Sequence, residues 1–189
     1  MSAVLTVPTL VEVAAVTGGA ISGALHAKKR RMDLMGIAIV AICTGVGGGA
    51  IRDVILGTSV PIFLIQPYVL MAVIGAVAGY FFGRLVSELT PAIYVLDTLL
   101  IGVWVVIGAE KALQLDLPYS AAVFLGLTTA IGGGLLRDVL CRNVPTALMP
   151  GQWVAAAAVV AAVLFVTIEY FTDARTVVLY APTWEGDRP

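Results

Sequence analysis

Long apolar stretches alternate with short polar breaks along the whole chain. Each stretch is close to the roughly 20 residues that an α-helix needs to cross about 30 Å of hydrocarbon. The pattern predicts six membrane-spanning helices, at residues 9–27, 33–56, 67–86, 92–113, 119–141 and 152–171. The residues that follow are too polar to span, so we expect a short polar tail at 172–189.

The sequence repeats itself at an offset of 85 residues. "TGVGGGAIRDV" at 44–54 and "TAIGGGLLRDV" at 129–139 align without a gap and share the threonine, the three glycines and Arg-Asp-Val. The two copies lie in three-helix repeats at 8–86 and 92–171. Because three is odd, the second repeat must enter the membrane from the opposite side. An inverted repeat of this kind is a recurring plan of transport proteins.

Each repeat carries three consecutive glycines inside an apolar helix. Glycine costs about 1 kcal/mol relative to alanine in a helix interior, so we expect the second and fifth helices to be broken there. Non-helical backbone is tolerated in a membrane only where it is buried in protein or lines water. Unwound carbonyl groups can then replace part of the hydration shell of a cation. The expected breaks lie at Gly47, Gly48, Gly49, Gly132, Gly133 and Gly134.

Close helix packing is the alternative interpretation of glycine in a membrane helix. We prefer it for Gly75, Gly79 and Gly83, which recur every four residues along the third helix. For the two triplets we prefer a functional interpretation, because the same charged pair follows each of them.

The charged pairs are Arg52 with Asp53 and Arg137 with Asp138. An Arg or Asp at the centre of a membrane helix costs about 2.5–3.5 kcal/mol, and such residues usually face a cavity. The alternative is that each arginine extends to the nearby membrane surface with the aspartate bound locally. Lys111 ends the fourth helix and is a further candidate charge at the mouth of a pathway, whereas Glu110 is expected to be solvated.

Composition excludes several classes of protein. The chain is 60% hydrophobic and only 12% charged, with a mean hydropathy of +1.01, whereas soluble domains carry about 25% charged residues. A net charge of −1 gives no basic field for nucleic acid. One histidine and two cysteines in apolar segments match no catalytic or metal-binding motif. We therefore predict a membrane protein that is not an enzyme and has no cofactor.

Orientation follows from the basic residues in the short loops, which favour the cytoplasmic side. The strongest cluster lies between the first two helices and consists of Lys28, Lys29, Arg30 and Arg31. That loop is therefore expected to be cytoplasmic, with the N-terminus outside.

The stretches "GALHAKKRRMDLMG", "TGVGGGAIRDVILG", "TAIGGGLLRDVLCRNVP" and "GAEKAL" resemble the prokaryotic TRIC family, the trimeric intracellular cation channels. The likeness covers about residues 8 to 171. It implies a homotrimer in a prokaryotic plasma (inner) membrane, in which each subunit has its own pore for monovalent cations, mainly potassium. It also implies that the second and fifth helices kink at their glycine triplets and line that pore.

Carried onto this chain, the resemblance places Arg52, Asp53, Arg137, Asp138 and Lys111 around the pathway. We infer in addition that Thr44 and Thr129, which precede the triplets, add hydroxyl oxygens to it. The family normally has a seventh helix, and the tail here is too short and polar to form one.

Two other functions stay open at this point. The same sequence domain is also labelled a glycine transporter, so a secondary transporter of a small amino acid such as glycine is the alternative. The expected loss of the seventh helix motivates a third hypothesis, a helical protein that does not conduct.

Overall fold

The computed structural model describes the backbone of residues 9–58, 68–88, 90–149 and 154–180, and the side chains of these ranges except 82–97 and 173–180. A short 3-10 helix at Thr146–Leu148 connects two long helices. The prediction of six long helices is confirmed: they are α1 (Thr9–Lys29), α2 (Leu34–Leu56), α3 (Tyr68–Glu88), α4 (Thr90–Gln114), α5 (Tyr119–Leu140) and α6 (Val154–Tyr180).

Four of these helices are long and apolar enough to cross a membrane: α1, α2, α5 and the segment Val154–Thr172 of α6. A shorter apolar stretch, Tyr68–Phe81, lies in α3. This assessment covers only the residues whose side chains are described, which leaves out the first two turns of α4 and the end of α3. The architecture is that of an all-α, multi-pass membrane protein.

The predicted breaks at the glycine triplets are wrong. Both α2 and α5 continue as regular α-helix through Gly47, Gly48 and Gly49 and through Gly132, Gly133 and Gly134. Three glycines cost a helix about 3 kcal/mol in propensity. The triplets are largely buried inside the protein, where each backbone N–H or C=O group that unwinding left unsatisfied would cost about 1–3 kcal/mol, and a break would leave several of them. The intact helix is therefore the less costly state.

Helix α6 continues to Tyr180, so the polar tail predicted at 172–189 begins as a continuation of this helix. Polar residues alone do not end a helix, and the first strong termination signal after the apolar core is Pro182. Residues 181–189 lie outside the described residues, and so does the expectation about a seventh helix.

The helix ends repeat at the same offset of 85 residues as the sequence. Left-handed backbone occurs at Arg31 (φ 55°) and at its equivalent Asp116 (φ 54°), and again at Gly57 (φ 63°) and its equivalent Arg142 (φ 55°). In each case the next N–H group bonds back across the turn, as in a Schellman motif. The four bonds run from Met32 to Ala27, Leu117 to Ala112, Thr58 to Asp53 and Asn143 to Asp138. The two sequence copies therefore share a backbone conformation as well as residues.

Gly57→Ala is expected to lower the free energy of unfolding by about 1 kcal/mol, because left-handed backbone costs an L-residue about 1–2 kcal/mol. An added Cβ at Gly57 meets nothing within 4 Å, so the cost is conformational and not steric. Gly57→Asn is the matched control, since Asn tolerates this conformation better. Thermal unfolding of both variants in detergent measures the difference, and an equal loss in the two would contradict this account.

Packing places α2 and α5 at the centre. Helix α1 packs against α2 and α3, and α4 packs against α5 and α6 in the same way. Gly75 lies against the carbonyl oxygen of Thr17, and Gly79 lies against the Cβ atom of Ala24. The packing interpretation of these two glycines is confirmed, and Gly83 lies outside the described side chains. Helices α2 and α5 then cross each other directly.

Candidate functional site at the crossing of α2 and α5

Glycine lets the backbones of α2 and α5 touch. A Cβ atom added to Gly48 would overlap the carbonyl oxygen of Thr129, and a Cβ atom added to Gly133 would overlap the carbonyl oxygen of Thr44. The two contacts are reciprocal at an offset of 85 residues. Such reciprocity is the mark of a contact between two equivalent surfaces around a local two-fold axis.

The first glycine of each triplet contacts a side chain of the facing helix as well as its backbone. Gly47 lies against the Cδ1 atom of Leu136, and Gly132 lies against the Cδ1 atom of Ile51. These contacts again form an equivalent pair. The first two glycines of each triplet therefore form the crossing.

Thr44 and Thr129 are buried on either side of this crossing. The Thr44 hydroxyl donates to the carbonyl oxygen of Val40 at 2.6 Å, and the Thr129 hydroxyl donates to that of Leu125 at 2.7 Å. Each hydroxyl proton is thus used within its own helix. The oxygen atoms keep lone pairs that can accept a hydrogen bond or contact a cation.

Both Arg-Asp pairs form buried ion pairs. Arg52 donates from Nε to Oδ1 of Asp53 at 2.8 Å, and its Nη2 lies 2.8 Å from the same oxygen. Arg137 donates from Nε to Oδ1 of Asp138 at 2.9 Å. The relative exposure is 4% for both members of the first pair, and 9% and 3% for Arg137 and Asp138. The alternative in which the arginines extend to the membrane surface does not describe these side chains.

The second pair has further hydrogen bonds to other segments of the chain. Nη1 of Arg137 donates to Oγ of Ser22 on α1 at 3.0 Å. Oδ2 of Asp138 accepts from the N–H group of Thr146 at 2.8 Å and from its hydroxyl at 2.6 Å. These bonds tie the C-terminal end of α5 to α1 and to the 3-10 helix.

The positions equivalent to Ser22 and Thr146 cannot form the same side-chain hydrogen bonds to the first Arg-Asp pair. The equivalent of Ser22 is Ile107, and the equivalent of Thr146 is Pro61 or Ile62, depending on where a one-residue gap is placed. None of these three side chains carries a hydrogen-bonding group. The hydrogen bonds of Ser22 and Thr146 therefore have no side-chain counterpart at the equivalent positions.

A cavity of about 120 Å³ lies against the crossing. Eight of the predicted site residues line it, namely Thr44, Gly48, Gly49, Thr129, Gly133, Gly134, Arg137 and Asp138. The other five do not: Gly47 and Gly132 pack as described above, Arg52 and Asp53 form their own buried pair, and Lys111 lies half-buried in the last turn of α4.

Among the lining residues that were not predicted from the sequence are Ser22, Trp104 and Thr146. Ser22 is the one hint the pattern offers, because it is a polar residue on the small-residue face that Gly19 and Gly23 mark in α1. Nothing in the local pattern indicates that Thr146 holds Asp138.

Two carboxyl groups lie away from this cavity. Glu110 is buried and accepts from Nε2 of Gln114 at 2.6 Å, so the expectation that it is solvated is wrong. Glu169 is also buried, and its Oε1 atom has no hydrogen-bond partner within the described residues. Among the described side chains, no group of three or more His, Cys, Asp or Glu is placed to hold a metal ion.

The chain matches a family model described as glycine transporter over two segments, residues 9–84 and 94–170. A UPF0126 membrane protein of Deinococcus radiodurans is 31% identical over 156 residues, which is 81% of this chain and 73% of that protein. The UPF0126 inner membrane protein YadS of Escherichia coli K12 is 34% identical over 154 residues, 80% of this chain and 73% of that protein.

Solved structures of similar fold are TRIC channels. The TRIC trimeric intracellular cation channel orthologue from Rhodobacter sphaeroides superposes with a TM-score of 0.81 at 33% identity, over 92% of this chain and 89% of that one. A second TRIC cation channel gives a TM-score of 0.75 at 26% identity, over 97% of this chain and 98% of that one. Because the family model and these relatives cover most of the sequence, the chain belongs to the prokaryotic TRIC family, whose sequence model is described as glycine transporter.

Proposed function

We propose that this chain is a homotrimeric channel that conducts monovalent cations, chiefly potassium, through one pore in each subunit. The observation that carries the proposal is the cavity at the crossing of α2 and α5, whose lining includes glycines of both triplets together with Thr44 and Thr129. The similar solved structures are of TRIC cation channels. The pathway would run along the two glycine-rich helices, past Thr44 and Thr129.

The chemistry of the lining suits weak and reversible cation binding. Conduction requires sites that attract an ion strongly enough for it to enter and weakly enough for it to leave. The glycine carbonyl groups remain within regular helix, so the threonine oxygens are the better ligands. The neutral hydroxyls and the mutually compensated Arg-Asp pair place polar groups in the cavity wall without a net charge that would bind the cation too strongly.

The remaining predicted charges take a place along the same pathway in this proposal. Arg137 and Asp138 lie at the cavity, while Arg52, Asp53 and Lys111 would act further along. Rearrangement of an Arg-Asp pair would open or close the path. Gly47 and Gly132, which contact flexible leucine and isoleucine side chains, would allow the helices to shift.

The membrane arrangement is proposed on the same basis. The three-helix repeats at 8–86 and 92–171 would lie inverted in a prokaryotic plasma (inner) membrane, with the N-terminus outside and the loop of Lys28, Lys29, Arg30 and Arg31 cytoplasmic. The matching helix ends support the repeat boundaries. The basic loop supports the orientation.

A secondary transporter of a small zwitterion such as glycine is the second candidate. One observation favours it: Arg137 and Asp138 both line the cavity, and their opposite charges suit a carboxylate and an ammonium group. We prefer the channel because each of these side chains is already bonded to the other.

Potassium flux into liposomes that contain the purified chain, measured beside uptake of radiolabelled glycine, tests the proposal. Fast potassium flux that glycine does not affect is the expected result. Saturable glycine uptake with little potassium flux would establish the transporter, and neither activity from a defined trimer would favour the non-conducting protein.

Thr129→Val is expected to lower the potassium flux several-fold, because it removes one oxygen from the cavity wall without changing the size of the side chain. A single neutral hydrogen-bonding group is worth about 1 kcal/mol, or roughly fivefold. Thr128→Val is the matched control, since Thr128 donates to Phe124 at 2.8 Å and is absent from the cavity lining. Equal potassium flux through the two variants would show that the Thr129 hydroxyl is not part of the pathway.

A further inference from the structure

One end of the molecule carries a group of exposed cations. Lys28, Lys29, Arg30 and Arg31 are all exposed. Arg137 near the end of α5 bonds to Ser22 near the end of α1 at 3.0 Å, so the exposed Arg142, five residues further on, lies at the same end of the molecule. These five residues, which we call the basic patch, therefore lie at one end of the molecule although they come from the ends of α1 and α5.

Asp33, the acidic residue nearest in sequence, compensates little of the positive charge of the basic patch. The carboxylate of Asp33 accepts from the N–H group of Gly36 at 2.9 Å and caps α2. Lys28 is also engaged, because its Nζ donates to the carbonyl oxygen of Tyr80 at 2.5 Å and lies 5.2 Å from the centre of the Tyr80 ring. Lys28 thus holds the loop against α3, and its three neighbours remain available to a ligand.

Large apolar side chains lie exposed beside these cations. Leu34 and Met35, which follow the loop, are 65% and 67% exposed, and Val144 and Leu148, which follow Arg142, are 61% and 70% exposed. Arginine and lysine heads beside exposed apolar side chains are typical of a membrane interface, where one part contacts headgroups and the other contacts acyl chains.

The fold itself does not require these cations. The equivalent turn of the second repeat, at residues 113–118, has the same left-handed residue and the same Schellman hydrogen bonds. Its sequence is Leu-Gln-Leu-Asp-Leu-Pro, which contains no cation and places Asp116 where the first repeat has Arg31. Because the same backbone turn forms with both charge patterns, the turn does not depend on the cations.

We propose that the basic patch binds anionic phospholipid. Lys29, Arg30, Arg31 and Arg142 contact the phosphate groups, and the acyl chains lie along Leu34, Met35 and Leu148. Each Lys or Arg near an anionic membrane surface contributes comparably to the attraction, and the contributions add over the cluster. Arginine is suited to this role because its planar guanidinium group binds phosphate through two parallel hydrogen bonds.

Thermal unfolding of the purified full chain in a neutral detergent tests the proposal without measuring transport. Phosphatidylglycerol is expected to raise the melting temperature at concentrations where phosphatidylcholine with the same acyl chains does not. The variant Lys29→Gln/Arg30→Gln/Arg31→Gln is expected to need about tenfold more phosphatidylglycerol, or higher, for the same shift. The charge-preserving variant Lys29→Arg/Arg30→Lys/Arg31→Lys is the matched control and is expected to stay much closer to the wild-type response than the glutamine variant does.

Native mass spectrometry of the same samples counts the lipids that stay bound, which gives a second readout if the melting temperature barely moves. Equal stabilisation and equal retention of the two lipids by the wild-type chain would overturn the proposal. Glycerol 3-phosphate, which lacks acyl chains, is expected not to raise the melting temperature at the same concentrations. If it raised the melting temperature as much as phosphatidylglycerol does, the patch would be a site for phosphate and not for lipid. A DNA oligonucleotide that binds more tightly than phosphatidylglycerol would likewise overturn it.

Discussion

Gly48→Ala is expected to destabilise the protein by about 3 kcal/mol and to abolish potassium flux, because the crossing of α2 and α5 has no room for a methyl group. The added carbon would overlap the carbonyl oxygen of Thr129. That oxygen belongs to the backbone of a continuous helix and cannot rotate away, so the two helices would have to separate. Overpacking of a tight core costs about 1–3 kcal/mol, and more where the obstructing atoms are rigid.

Gly134→Ala is the matched control for this prediction. A Cβ atom at Gly134 meets only Nη2 of Arg137 at 3.9 Å, which is an ordinary contact. Alanine also favours the helix by about 1 kcal/mol over glycine, so this variant is expected to be as stable as the wild type or more stable. Thermal unfolding in detergent compares the two variants directly. If they were equally stable, close contact at the crossing would not explain the glycine triplets.

The double variant Gly48→Ala/Gly133→Ala sharpens the same argument. Gly133 lies against the carbonyl oxygen of Thr44 in the reciprocal contact. A single separation of the two helices relieves both overlaps, so the double variant is expected to lose much less than the sum of the two single losses. Full additivity would mean that the two contacts are independent, which contradicts a common crossing.

Sequence periodicity and hydropathy were sufficient for the helices and the repeat. Apolar runs of about 20 residues mark membrane helices directly, and identity at a fixed offset requires no structure to detect. The same reasoning failed at the glycine triplets because it weighed only local propensity. Propensity favoured a break at Gly48 and Gly133, but every buried backbone group that a break leaves unsatisfied is penalised, and these glycines are contact points between the two helices.

The candidate site was only partly predictable for a related reason. The triplets, Thr44, Thr129 and the Arg-Asp pairs are visible as repeated residues in one-dimensional sequence. The bond from Arg137 to Ser22 joins residues on α5 and α1 in different repeats, and no periodic pattern indicates such a pair. Glu110 shows the opposite error: its place near a helix end suggested solvent, but α4 continues to Gln114, whose amide donates to the buried carboxylate.

Asp138→Asn is expected to lower the free energy of unfolding by about 3–5 kcal/mol, the usual cost of removing one partner from a buried ion pair. Arg137, which is only 9% exposed, would keep its bond to the Ser22 hydroxyl but lose the carboxylate. Arg137→Gln is expected to cost less, because Asp138 still accepts both the N–H group and the hydroxyl of Thr146. Arg142→Gln, at an exposed cation on the same end of α5, is the control and is expected to stay within about 0.5 kcal/mol.

The double variant Arg137→Gln/Asp138→Asn separates the ion pair from the fold around it. Both charges are then absent, no buried charge is left without its partner, and the double variant is expected to be more stable than Asp138→Asn alone by about 1–3 kcal/mol. Potassium flux through the double variant tests the pathway role, because removal of an Arg-Asp gate changes the flux while the protein remains folded. Wild-type flux through the double variant would show that the pair has a structural role only. A double variant no more stable than Asp138→Asn would show that the two side chains are not coupled.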